Sequence, residues 1–281
     1  MRVQIIVILG EKMMVHISRS EDPYSMDMVT GFEIAALTKK NSIFIEAVLK
    51  LDSNYKKEQQ AVPPDDRFDL NLHASNSNGL YCGSTKYWFN EMTNSSSDYT
   101  YKDCVLGAVI SIDRSNSTHL ETTENGRKKM TQRIVKRCPN IDELIDCLST
   151  PFNAEDNHLI SCMLRKGLKS IKDGSDMYYL SFASKFCSYA SAFLNLQIEY
   201  SRYDKVVAKA LPVYYQAYCN KSVRKTEFLV DNSISDKYHN RLVIYNKYSD
   251  TIAIILNALG KSDHLSRDEF DHIIWYGMKG N

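Results

Sequence analysis

The sequence predicts an α+β protein: a strand-rich N-terminal unit over residues 1–115, followed by an all-helical unit over residues 116–281. Three observations carry that expectation. Short apolar runs and two-residue alternations crowd the first 115 residues, as in half-buried strands. Residues 115–126 are polar and turn-rich, the composition of a boundary. Beyond them come segments bounded by helix caps and helix stops.

Taken in order, Val3 to Ser18 reads as a hairpin, with Gly10-Glu11 as its turn. Phe32 to Leu51 reads as a helix followed by a strand. Pro63-Pro64-Asp65-Asp66 is a turn, and Phe68, Leu70 and Leu72 then alternate as a strand does. Asn94 to Asp98 is a loop, and Cys104 to Ile112 is an apolar, strand-like run. In the second unit, helices are expected over Ile141–Leu148, stopped by Pro151, and over Ala154–Ile171, capped by Asn153. Three more follow: Asp204–Tyr218, Asp250–Leu259 with Ser249 as cap, and Arg267–Met278, opened by the capping box Ser266-x-x-Glu269.

Composition narrows the function classes. A chain of 281 residues with 43% hydrophobic and 25% charged residues is ordinary for a folded protein with a sizeable core. The net charge of +1 is unevenly spread: residues 121–230 hold 17 Lys and Arg against 12 Asp and Glu, so a polyanion is expected to meet the middle of the chain. Seven scattered cysteines without a C-x-x-C pair, and seven histidines without metal-ligand spacing, predict reduced thiols in the cytoplasm and no metal. The runs Val3–Leu9 and Ile252–Leu259 are too short to span a bilayer, so no membrane contact is expected. We expect a monomer without a small-molecule cofactor.

The stretch from Asp176 to Asp204 organises the rest. It reads as a short helix, a tight hairpin at Ser181-Phe182-Ala183, a second helix carrying Lys185, and a loop ending at Asp204, which opens the next helix. At 100° per residue, Phe182, Phe186, Tyr189 and Phe193 fall in a stripe roughly 60° wide, a face suited to burial. Lys185 lies beside the stripe, on an edge shared with Ser181, Ser188 and Ala192. Read plainly, Lys185 is a surface lysine with a packed stem, and Asp204 is a helix N-cap contributing ~1 kcal/mol.

Leu180-Ser-Phe-Ala-Ser-Lys185 and Tyr200-Ser-Arg-Tyr-Asp204-Lys-Val-Val resemble the helix-hairpin-helix DNA glycosylases, and most closely the bacterial oxoguanine-glycosylase-fold proteins. The resemblance covers roughly residues 154–218 and implies that residues 116–281 form a glycosylase-like helical domain. It implies that Lys185 is a nucleophile forming a Schiff base at the sugar, with a possible strand-cleaving lyase step, and that Asp204 stabilises the sugar cation. It also implies DNA binding by the hairpin residues Ser181, Phe182, Ala183 and Ser184. Where family hairpins read Gly-hydrophobic-Gly, this chain has Ser181 and Ala183. An inactive DNA-binding module of the same fold is therefore the alternative.

Such chemistry needs an extruded base and an aromatic pocket, for which Tyr178, Tyr179, Tyr214, Tyr215, Tyr218, Tyr245, Trp275 and Tyr276 are candidates. It also needs cations on the DNA backbone. The candidate groups are Arg127 to Lys129 with Arg133, Lys136 and Arg137; Arg165, Lys166, Lys169 and Lys172; and Lys221, Arg224 and Lys225, with Arg202 and Lys205 beside Asp204. The implied partner is DNA carrying a damaged or modified base, in repair or in defence against modified phage DNA.

Overall fold

The computed structural model describes residues 50, 61–66, 68–73, 83–116, 118–153, 158–259 and 265–279. Among them there is no strand; the only β pairing is two isolated bridges, Thr123 with Ser170 and Lys169 with Asp176. The expected strand-rich character is therefore overturned for the described part of residues 1–115. Leu70–His73 is a short helix (α1), Thr85–Thr93 a second (α2) and Tyr101–Ser115 a third (α3). The expected hairpin over Val3–Ser18 and the helix and strand over Phe32–Leu51 lie outside the described residues, Lys50 excepted.

Why Cys104–Ile112 forms a helix is clear from its surroundings. Thr100 and Asp103 close a capping box at its start, each side chain bonding the other's backbone N–H at 3.1–3.2 Å. Every residue from Cys104 to Asp113 is buried, because α3 packs against α1, α2, Gly126–Arg137 (α4) and Leu180–Phe193 (α7). A helix covered on all sides has no polar face, so its period vanishes from the sequence and the run imitates a strand. At Gly107 a Cβ would run into the Trp88 ring, so glycine is what lets α2 and α3 close on each other.

The described residues fall into two compact units. The first takes in residues 58–200 and 231–246, and the second residues 201–230 and 247–279. In the first, Ile141–Leu148 (α5) begins at its cap Asn140, whose side chain accepts from Glu143 N at 2.9 Å. Of the expected helix over Ala154–Ile171, residues 154–157 lie outside the described residues, and among the rest only Leu159–Met163 (α6), capped by His158, is helical. The chain leaves it through Gly167, whose φ of +113° suits glycine alone. It then makes a turn at Ile171–Gly174, held by Ser170 N–H to Ser175 O at 2.9 Å and Gly174 N–H to Ser170 O at 2.9 Å. Helix α7 is the centre of this unit, touching α2, α3, α5 and α6.

The second unit holds Lys205–Cys219 (α8) and Arg267–Lys279 (α10), which pack together. Ser266 and Glu269 close the expected capping box, with Ser266 N–H to Glu269 Oε2 at 3.0 Å and Glu269 N–H to Ser266 Oγ at 3.1 Å. Lys237–Ala258 (α9) has residues in both units and is capped by Asp236, not Ser249, which lies inside it. Its early turns looked polar because tyrosines do the burying there: Tyr245 and Tyr248 are fully buried.

Candidate functional site

Lys185 belongs to the first unit and sits in the second turn of α7, half-buried. The expected hairpin at Ser181-Phe182-Ala183 is absent. These residues form the first turn of one uninterrupted helix, with Ala183 N–H bonded to Tyr179 O at 2.9 Å. No short helix precedes them either: Met177 N–H reaches Leu168 O at 2.8 Å along an extended approach. The tight turn comes about ten residues earlier, around Gly174 with φ +69°, where a glycine is available to make it. Serine and alanine at 181 and 183 suit a helix, and a helix is what they form.

That placement changes what the neighbours can do. Phe182, Ala183 and Ser184 are buried, and Ser181 is half-buried with its carbonyl accepting from Ser184 Oγ at 3.2 Å, so this segment offers no exposed loop to a phosphate. Of the aromatic stripe, Phe182 and Phe186 are core, while Tyr189 and Phe193 are half-buried at its edge. Phe89 packs against Phe186 at 5.5 Å and Phe193 at 6.0 Å, Tyr189 stacks on Phe193 at 5.8 Å, and Tyr189 Oη donates to Asn116. Beyond α7 the chain turns at Asn195, in left-handed conformation at φ 55°, and Ser191 Oγ donates to Ile198 O.

Asp204 belongs to the second unit and is the N-cap of α8, as the sequence indicates. Its backbone is extended (φ −126°, ψ 137°), and its Oδ1 accepts from Val206 N at 2.7 Å while its side chain remains half-buried. The segment that delivers it is pinned from α9 and α10. Arg202 is buried, 2.8 Å from Asp268 and 3.4 Å from His272 Nε2. Its carbonyl accepts from Tyr248 Oη at 2.9 Å. Tyr203 stands edge-on to Tyr248 at 5.2 Å, donates to Phe228 O at 3.1 Å and accepts from Val230 N. Arg267 clamps Ser201 Oγ at 3.1 Å and Ser249 Oγ at 2.6 Å.

Behind Asp204 lies a carboxyl the sequence reading missed. Asp271 is buried on α10, with Oδ1 3.4 Å from Tyr248 Oη. Burial, reinforced by the charges of Asp204 and Asp268 and opposed by His272 and Arg202, pushes its pKa up to about 7. The same burial drives the Tyr248 phenol well above its ordinary range. The Tyr248 hydroxyl donates to Arg202 O at 2.9 Å and is directed as well toward Asp271 Oδ1 at 3.4 Å. The signal in the sequence was the spacing of Asp268, Asp271 and His272, three and four positions apart and hence on one helix face.

The expected cationic surface is thinner than composition suggested. Arg127 is buried in an ion pair with Asp113 at 2.7 Å, and Asp113 also accepts from Leu120 N and Thr118 Oγ1. Arg133 is turned onto the carbonyls of Met163 and Lys166 at 2.6 and 2.9 Å. Arg202 is a structural cation, and Lys169 pairs with Asp176 at 3.0 Å. Arg224 pairs with Glu227 at 3.1 Å, and Lys221 lies 5.7 Å over the Tyr215 ring. Arg165, Lys166, Lys172 and Lys205 are exposed. Of the pocket tyrosines, Tyr179, Tyr214 and Tyr245 are core, and Tyr178 stacks against Arg241 at 4.7 Å.

No family model, no curated protein and no solved structure matches this chain. Its chemistry has to be argued from its own residues. Among the described residues no group of three or more His, Cys, Asp or Glu is placed to hold a metal ion. No described helix is long and apolar enough to cross a membrane.

Proposed function

We propose that the chain is a DNA glycosylase that excises a damaged or modified base. Breaking the C1′–N bond leaves positive charge on the deoxyribose, and a fixed carboxylate beside that sugar stabilises it electrostatically. In this reading Asp204 is that carboxylate. Lys185 attacks C1′ as a neutral amine and forms a Schiff base, which opens a β-elimination route to strand cleavage. The extruded base is the recognised element, because its sugar is out of reach in the stack.

The observation that carries the reading is the seat of Asp204. One carboxylate oxygen is fixed by the Val206 N–H, and the residues delivering it are tied down by Arg202, Tyr203 and Tyr248. Such rigid support is what a preorganised charge requires. The resemblance in Leu180–Lys185 and Tyr200–Val207 supplies the reaction class, and exposed Arg165, Lys166, Lys172 and Lys205 supply cations for a DNA backbone. Repair and defence against phage DNA are the two settings for this activity.

The test is release of free base from duplexes carrying a panel of oxidised, alkylated, deaminated and phage-type modified bases. Wild-type protein is expected to release one class, and Asp204→Asn to lose that release by a factor of a hundred or more while remaining folded, since asparagine also caps helices well. A second reading, a DNA-binding module without excision, is favoured by the role Asp204 already fills, its Oδ1 accepting from Val206 N as the cap of α8. It predicts duplex binding with no base released from any member of the panel.

A further inference from the structure

Between α6 and α7 the chain makes a turn over residues 165–176, all within the first unit. Its tip faces open space: a Cβ on Gly174 would meet no atom within 4 Å. Ile171 on this tip is the most exposed large apolar side chain among the described residues, at 67%. One exposed isoleucine is ordinary on a protein surface. This one differs in how firmly its backbone is held. Ile171 N–H bonds to Thr122 O, Ser170 N–H to Ser175 O and Gly174 N–H to Ser170 O, each at 2.9 Å, and Lys172 N–H to Ser170 Oγ at 3.2 Å. Thr122 Oγ1 also lies 3.0 Å from the Oη of Tyr179, the N-cap of α7. One threonine thus ties the isoleucine to the start of the helix that carries Lys185.

Positive charge surrounds the tip. Arg165, Lys166, Lys169 and Lys172 are exposed, Lys169 while pairing with Asp176 at 3.0 Å. The two carboxylates of the turn are engaged with its own groups. Asp176 accepts from Gly167 N at 3.2 Å, and Asp173 accepts from Ser175 N and Oγ at 3.1 and 2.7 Å. On the adjoining segment Glu124, whose N–H reaches Lys169 O at 3.4 Å, is paired with Lys129 at 3.6 Å. Four cations against two carboxylates leave the turn positive, which suits a polyanion. The isoleucine asks in addition for an apolar interior within that polyanion.

We infer that this turn grips duplex DNA and that Ile171 enters the base stack where a nucleotide has left it. DNA as the partner rests on the excision reading above; what is added is the residue that fills the vacated place. The cations meet phosphates, and the isoleucine leaves water for the faces of two base pairs. One aliphatic side chain regains about what opening an intact base step costs, so the two cancel on undamaged duplex. Where a base is already out of the stack, the step is open and the gain is kept. The pinned backbone loses little conformational freedom on insertion. A lipid surface fits less well, because a single isoleucine offers too little apolar area to hold a protein there.

The experiment measures binding of the full-length protein to two duplexes of one sequence, intact and with a single tetrahydrofuran abasic site. Tetrahydrofuran presents no aldehyde, so Lys185 forms no Schiff base with it and excision chemistry takes no part. The wild-type protein is expected to bind the abasic duplex roughly tenfold tighter than the intact one. Ile171→Ser is expected to bind the two equally, with an unchanged melting temperature, since the side chain it replaces is exposed. Lys166→Ala with Lys172→Ala is expected to weaken both duplexes alike and to lower the salt slope by about two. Equal wild-type affinity for the two duplexes, or a preference that survives Ile171→Ser, overturns the inference and leaves excision by Asp204 and Lys185 standing. A preference lost in Ile171→Ser supports it even where no base is released. Binding to neither duplex overturns both the inference and the DNA reading. Ile171-dependent binding to vesicles of phosphatidylserine and phosphatidylcholine, without a preference for the abasic duplex, overturns it in favour of a lipid surface.

Discussion

Asp271→Asn isolates the buried carboxyl that supports the Asp204 segment. Burial and nearby carboxylates hold the native Asp271 proton up to about pH 7, against about 3.9 for an unfolded aspartate. A raised native pKa means that this group leaves stability intact in acid and erodes it as pH rises through 7. By pH 5 the unfolded chain has already lost the proton that the native carboxyl keeps. At ~1.36 kcal/mol per pKa unit the full penalty is ~4 kcal/mol, and roughly 2.5 kcal/mol of it falls between pH 5 and pH 8. The carboxyl is buried beneath Tyr248, so solvent screening does not dilute it. Asparagine is neutral, nearly isosteric and able to donate to Tyr248 oxygen, so the variant is expected to shed that part of the pH dependence. Urea unfolding at pH 5 and pH 8 on both proteins gives the comparison, with His272 and every other group common to the two. The wild-type loss of stability from pH 5 to pH 8 is expected to exceed the variant's by roughly 2.5 kcal/mol. Equal losses in the two proteins would refute a buried, protonated Asp271.

Other substitutions test the frame. Gly107→Ala pushes a methyl group into the Trp88 ring and is expected to cost ~1–3 kcal/mol, read as a lower urea midpoint, with Trp88 fluorescence shifted in the folded state. Arg127→Met leaves the buried Asp113 without its cation and is expected to cost ~3–5 kcal/mol; a loss under 1 kcal/mol would mean that Arg127 is not holding α3 to α4. Asp204→Ala removes the α8 cap and is expected to cost ~1 kcal/mol, whereas Asp204→Asn leaves the melting temperature nearly unchanged. Raising salt from 50 to 200 mM is expected to weaken duplex binding by at least tenfold, as phosphate contacts through Arg165, Lys166, Lys172 and Lys205 require.

What the sequence disclosed depended on whether a residue's role is local. Asp204 as a cap, the Ser266–Glu269 box and the bounds of α5 were legible, because caps and stops act within one turn. The aromatic face of α7 was legible too, since one side of that helix is strongly apolar. Helix α3 was not: contacts on every side erased its period, and β-branched residues in Val105 to Ile112 tipped the reading to strand. The hairpin was misplaced because Ser181 and Ala183 were read through a family pattern whose glycines this chain lacks, while Gly167 and Gly174 made the turns upstream. Arg127, Arg133 and Arg202 looked like surface cations because charge density along a chain says nothing of which acid or carbonyl lies opposite. For Asp271 the spacing with Asp268 and His272 was legible, but its retained proton was not, because that depends on burial against Tyr248.

Borohydride trapping on the base-modified duplexes bears most directly on the proposed reaction, because reduction captures a Schiff base at the residue that formed it. The account predicts a covalent protein–DNA adduct mapping to Lys185 and missing from a folded Lys185→Gln variant. An adduct that persists in that variant, or none on any duplex from which the wild-type protein releases base, would contradict Lys185 as the nucleophile.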